Sequence, residues 1–234
     1  MTFNAIGGLA NRLRGIFSRY SPGMKVVWTR TWDIAGAHFL DVFEPVDGIE
    51  FIGHPGGHVD ESCGASDSPE NWHRHYALLQ PIEPLRQRIE QACEKLGDYV
   101  AMHVRRTDHV KLAIVLGRYT KDEEFIAWAQ ARPGKVFIAT DNLETRWIMI
   151  RALPERFACQ GNMVRSAATQ HYSRRYNSLG DAVVDLFVCA RAREFMGSAH
   201  SSFSELVVAL RAHHSTAAAV SEHEAPVAAE SRTE

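Results

Sequence analysis

Two arginines, two histidines and an aspartate close one short stretch, "YVAMHVRRTDHV" (99–110). Strand alternation sets His103 and Arg105 on one side and Val104 on the other. Arginine is a planar, permanently charged donor fork that fits phosphate oxygens. Two readings stand side by side. Arg105 and Arg106 are either donors to an anion or partners of Asp108 in an ion pair. A third makes His103, Asp108 and His109 metal ligands, although no familiar ligand spacing such as HExxH is present.

Three more clusters carry polar chemistry. "FMGSAHSSFSELVVAL" (195–210) is a Gly/Ser-rich turn running into an apolar helix. Free backbone N–H groups and the helix dipole at such a start suit an anion. Ser202 and Glu205 also have capping-box spacing, so Ser201 and Ser202 serve a cap, an anion or both. "FIATDN" (137–142) ends a strand. There Asp141 either caps the next helix, with Glu144 at cap spacing, or touches the base of a ligand at the sheet edge. "IGGLANRLRG" (6–15) is a Gly-Gly turn followed by helical spacing of Leu9, Leu13 and Ile16, presenting Asn11, Arg12 and Arg14. It is neither GxGxxG nor GxxxxGK[ST]. Asp181 and Asp185 lie four apart on a helix that is apolar on most sides, so a carboxylate there calls for a cationic partner, expected to be arginine.

These clusters need elements to hold them. The pattern alternates strand and helix. Strands are expected at 25–29, 49–52, 99–105, 135–139 and 194–198. Helices are expected near 82–96, 121–131, 142–152, 178–193 and 201–214. Residues 54–75, rich in Gly, Ser, Asp and His, read as a loop. The helix at 178–193 should be central. The alternation predicts an α/β fold with a mostly parallel sheet, whose ligands lie beyond the carboxyl ends of the strands. His103–Asp108, Thr140–Asn142 and Gly197–Ser204 all fall at such ends. The last residues, 214–234, are Ala/Glu/Ser-rich without an aromatic and are expected to be a disordered tail. Arg211, beside that tail, is expected to matter little for nucleotide binding and transfer.

Composition narrows the partners. The chain has 234 residues and a formal net charge of −2, so nothing global favours nucleic acid or an anionic membrane surface. No apolar run is long enough for a membrane span, and no secretory leader is evident at the start. The four cysteines are scattered without a CxxC pair, which suits reduced thiols in the cytoplasm.

Taken in order, "GGLANRLRG", "HVRRTD", "FIATDN" and "DLFVCARAREFMGSAHSSFSEL" resemble the GDP-fucose-dependent fucosyltransferases: the nodulation and core enzymes, the protein O-fucosyltransferases and the alpha-1,2 enzymes. The resemblance covers most of residues 5–212. It implies a GT-B-like α/β fold of two Rossmann-like parallel-sheet domains, the N-terminal one small. Residues 1–80 would form the acceptor side and 81–213 the nucleotide-sugar side. It implies transfer of fucose from GDP-fucose to a glycan or other hydroxyl acceptor, with inversion, no metal and no cofactor, releasing GDP. Catalytic positions implied are Arg105, His103 and Asp108. Arg105 would hold the β-phosphate, and Asp108 would orient that arginine or contact the nucleotide. Asn11, Arg12, Asp141, Ser201, Ser202 and Phe203 would complete the donor site. His103, Asp108, Asp60 and Glu61 are the candidate bases. The competing readings are a non-catalytic nucleotide- or glycan-binding protein and a metal hydrolase built on His103, Asp108 and His109.

Overall fold

A computed structural model describes residues 2–29, 37–53, 61–62, 74–106, 110–159 and 178–223. It contains two four-stranded, wholly parallel sheets. The first holds β1 (Thr2–Asn4), β2 (Met24–Val27), β3 (Ile49–Ile52) and β4 (Glu61–Ser62) in the order β3-β2-β1-β4. The second holds β5 (Tyr99–Val104), β6 (Lys135–Thr140), β7 (Phe157–Ala158) and β8 (Glu194–Gly197) in the order β7-β6-β5-β8. Each is the same half-Rossmann order, with a switch point beside its first strand. The architecture is therefore α/β and GT-B-like.

The helices are α1 (Leu9–Ser18), α2 (Glu83–Leu96), α3 (Val110–Val115), α4 (Asp122–Gln130), α5 (Leu143–Ala152), α6 (Leu179–Arg191) and α7 (Ser202–His223). Short 3-10 turns occupy Phe39–Asp41 and Arg74–Leu78. Among the described residues no helix is long and apolar enough to cross a membrane.

Strand β5 is buried along its whole length. Its two faces feed two cores. Val100, Met102 and Val104 pack with Phe125, Ala129, Met149 and Leu153 from α4 and α5. Tyr99 and Ala101 face the opposite side, with Ile89 of α2 and Val183, Leu186 and Val188 of α6. A strand covered on both faces cannot show period-2 alternation, which is why β5 reads as a continuous apolar run. Nine of the thirteen α6 residues are buried, as a helix apolar on most sides requires.

The second core does not stop at the second sheet. It continues through Leu206, Val207 and Leu210 of α7 into Phe3, Leu9, Leu13, Ile16 and Trp28 around the first sheet. Helix α7 leaves β8, packs on α6 and then reaches α1 and the Arg74–Leu78 turn.

Several expectations change. Helix α7 runs to His223, into the stretch assigned to the tail from 214 onward. The region read as loop contains β4, only two residues long and so without periodicity. Strands β1 and β7 and helix α3 are also too short to announce themselves in the pattern. Arg211 is not peripheral. Its guanidinium donates to the carbonyls of Cys189, Ala190, Ala192 and Arg193, closing the carboxyl end of α6. The expected arginine partner exists for Asp181, which accepts from Arg88 at 2.6 Å and also completes a capping box with Ser178.

Asp185 is buried in the middle of α6, and burial, then the Asp181 charge, push its pKa well above the ordinary carboxylate value, against the pull of Arg88 and Arg146. The folded state thus holds a proton that the unfolded state releases near pH 4, so this residue costs stability progressively as pH rises from there toward its raised pKa.

Two measurements test this packing. Arg211→Ala should lower unfolding free energy by about 1–3 kcal/mol, because charge-assisted bonds to four carbonyls are lost; a denaturation midpoint matching wild type would contradict it. Urea midpoints at pH 5 and pH 8 should fall less with pH for Asp185→Asn than for wild type.

Candidate functional site

Strands β5 and β8 lie side by side, so the chain ends that leave them meet at the switch point of the second sheet. This junction is knitted by backbone and serine bonds. The Ser198 amide donates to the His103 carbonyl at 2.9 Å, and the Ser198 hydroxyl donates to the same carbonyl at 3.2 Å. The Arg105 amide donates back to Ser198 Oγ at 2.9 Å. Arg105 is thereby fixed at the mouth of the sheet, against the turn that leads to α7.

The close fit depends on Gly197. A Cβ there would lie 2.5 Å from Ser204 Cβ and 2.6 Å from Ser204 Oγ, so only glycine lets α7 start so near the strand. The turn that follows puts His200 at φ 55°, a left-handed conformation that a non-glycine residue adopts at a cost of about 1 kcal/mol. Ser201 then occupies the cap position, and its carbonyl accepts the first helical bond from Glu205 N–H at 3.0 Å. Yet the Ser201 hydroxyl, on a residue only 2% exposed, has no hydrogen-bond partner among the described residues. An orphaned buried hydroxyl costs about 1–3 kcal/mol and calls for a ligand or water. The amides of the first turn add further donors that no helical carbonyl can satisfy.

His103 is built into this arrangement and is not poised in solvent. It is 5% exposed, its Nδ1 is 2.8 Å from Ser204 Oγ, and its ring lies 4.5 Å from that of Phe203. It tethers β5 to the first turn of α7. The Nδ1–Ser204 bond sets the orientation of the imidazole.

The two arginines divide their work. Arg106 is an internal brace. It pairs with Asp122 at 2.5 Å, donates to the Thr120 carbonyl at 2.8 Å and lies over Tyr119 and Phe125. Arg105 makes a looser pair with Asp141, Nε to Oδ2 3.9 Å, with both side chains mostly covered. Asp141 also accepts from the Arg106 amide at 2.9 Å, joining the ends of β5 and β6. It does not cap α5. Asn142 does, accepting from Thr145 N–H at 2.8 Å.

Glu205 likewise forms no capping box with Ser202. Helix α7 begins at Ser202, one residue earlier than the box requires, and Glu205 instead meets Arg14 of α1 at 2.9 Å. Arg14 reaches Asn11 Oδ1 at 3.4 Å as well, so Asn11 stands near the α1–α7 junction. Arg12, expected at the ligand, is 1% exposed. Its Nε donates to the Gly7 carbonyl at 2.6 Å, its Nη1 to the Thr29 carbonyl at 3.1 Å, and its guanidinium lies over Trp28. It braces the ends of β1 and β2 from inside. Asp60, Asp108 and His109 lie outside the described residues, and of Glu61 only the backbone in β4 is described. Nothing in the sequence pointed to the Ser204–His103 bond, because its partners are a hundred residues apart.

Comparison with known proteins follows the geometry. No family model matches the chain. Human GDP-fucose protein O-fucosyltransferase 2 is 31% identical over 126 residues, which is 51% of this chain and 27% of that protein. The chimpanzee protein of the same name is 31% identical over 114 residues, 46% of this chain and 24% of that one. The chain thus spans about a quarter of the length of the curated relatives it matches. A crystal structure of the NodZ alpha-1,6-fucosyltransferase soaked with GDP-fucose superposes with a TM-score of 0.60 at 16% identity, covering 89% of this chain and 91% of that one. NodZ from Bradyrhizobium gives 0.60 at 15% identity, over 88% and 90%. The chain shares its fold with these NodZ structures. The fucosyltransferase resemblance extends over half of the chain in sequence and nearly all of it in shape.

Gly197 offers the direct test of the site's framework. Gly197→Ala should displace the start of α7 and lower stability by about 1–3 kcal/mol. Gly53→Ala, where an added Cβ meets nothing within 4 Å, should change neither. Thermal unfolding reads both.

Proposed function

We propose that the chain transfers fucose from GDP-fucose to a hydroxyl acceptor, with inversion and without a metal. The observation that carries this reading is the bond from the Arg105 amide, at the end of β5, to Ser198 Oγ, at the end of β8, in the turn that leads to Ser201, whose buried hydroxyl has no partner among the described residues, and to the amino end of α7. A cation, an orphaned donor and a helix start converge where an α/β sheet takes its ligand. The fold neighbour was solved with GDP-fucose, and the sequence relatives carry GDP-fucose in their names.

Breaking a sugar–phosphate bond leaves negative charge on the departing diphosphate. Arg105 binds the β-phosphate and meets that charge as it grows, while Ser201, Ser202 and the amides through Phe203 hold the remaining oxygens. Asp141 aims Arg105 and contacts the nucleotide from the end of β6. His103 acts as a positioning residue through Ser204. Asp108 stands in the HxRxxD pattern as a further partner of Arg105. Asn11 faces the site from the first sheet, and Arg12 supports the turn that presents it. The first sheet, residues 1–80, forms the acceptor side and residues 81–213 the donor side. The acceptor is a glycan or another hydroxyl compound. Three free thiols, Cys93, Cys159 and Cys189, suit a reducing compartment, and we place the protein in the cytoplasm.

Thermal shift with GDP, UDP and ADP should give the largest stabilisation with GDP. Arg105→Ala should cut release of GDP from GDP-fucose by about 10²–10³-fold while leaving the melting temperature within a degree or two. Arg106→Ala should do the reverse and lower the melting temperature, because Asp122 loses its partner. No GDP response, or equal turnover for wild type and Arg105→Ala, would overturn the proposal.

A further inference from the structure

Glu205 sits in the first turn of α7, three residues after Ser202. A carboxylate there suits the helix dipole, but it repels any anion bound at the same helix end. The screening length at physiological salt is about 8 Å, and repulsion within it is felt. Glu205 is not spent on capping. Its Oε2 meets Arg14 Nη1 at 2.9 Å, across from α1 of the first sheet. The same guanidinium, through Nη2, reaches Asn11 Oδ1 at 3.4 Å. The Tyr76 hydroxyl feels both charges, which fixes the pair at the meeting of α1, α7 and the Arg74–Leu78 turn. Both side chains are partly exposed, so the pair adds little to stability. Its consequence is electrostatic: it cancels a negative charge beside the anion site and ties that site to Asn11.

We infer that Arg14 is a positioning residue for donor binding, which neutralises Glu205 next to the diphosphate and holds the start of α7 against α1. The inference rests on reading the amino end of α7 as the diphosphate site. Its signature is selectivity for the charged part of the ligand. A general loss of packing would weaken GDP and guanosine alike, whereas an uncompensated carboxylate weakens only GDP.

Calorimetric titration of the full chain with GDP and with guanosine tests this, using wild type, Arg14→Ala, Arg14→Lys and the double variant Arg14→Ala/Glu205→Gln. Arg14→Ala should weaken GDP about tenfold and guanosine by less than about twofold. Removing the carboxylate in the double variant should restore most of the GDP affinity, and Arg14→Lys should keep most of it. The GDP penalty should grow as salt is lowered. If Arg14→Ala binds GDP as wild type does, weakens both ligands equally, or is not rescued by Glu205→Gln, the role of Arg14 is overturned. Wild type that fails to bind GDP would instead overturn the diphosphate site itself.

Discussion

The start of α7 touches β8 with no room for a side chain at Gly197, and the rest of the site depends on that contact. It brings Ser204 within 2.8 Å of His103, sets Phe203 on the imidazole, and leaves Ser201 buried with its hydroxyl unmet. It also forces the left-handed turn at His200. The local costs, an orphaned hydroxyl and a strained backbone, are small against the burial of Leu206, Val207, Ala209 and Leu210 that follows in the same helix. Strong apolar packing farther along α7 thus holds an unsatisfied polar end in place. That is the condition under which a protein can keep a ligand site ready before the ligand arrives.

Much of this was legible in the residues. The parallel α/β architecture followed from alternation, and the expected helices and longer strands fall within a residue or two of where periodicity puts them, apart from the carboxyl end of α7. Three polar clusters at strand ends pointed to one edge of one sheet, and Arg105, Asp141 and Ser201 do converge there. The elements that escaped notice are those of two to six residues, β1, β4, β7 and α3, where no period can be counted.

The residue roles were less legible, because spacing cannot say which partner wins. Glu205 has capping-box spacing but finds Arg14, a residue 191 positions away, and the helix begins one residue too early for the box. Asp141 has cap spacing, but its neighbour Asn142 sits at the cap, and Asp141 instead joins two strand ends. Arg12 and Arg14 look equivalent in "NRLR". A helix turns 100° per residue, so two positions separate them by about 200°, and one faces the interior while the other faces α7. Arg211 looked peripheral because the carbonyls it closes belong to a helix twenty residues earlier. In each case the deciding contact is long-range, and a single sequence carries no direct trace of it.

The shared interior of the two sheets bears on how a substrate could come and go. Leu13 and Trp28 beside β1 and β2 belong to the same continuous cluster as Val183 of α6 and Leu206 of α7. Pulling the halves apart like a clamshell would wet this cluster, at about 1.5–3 kcal/mol for each large side chain exposed. Wide hinge-like breathing is therefore costly for this molecule. The two sheets thus travel as a single rigid frame.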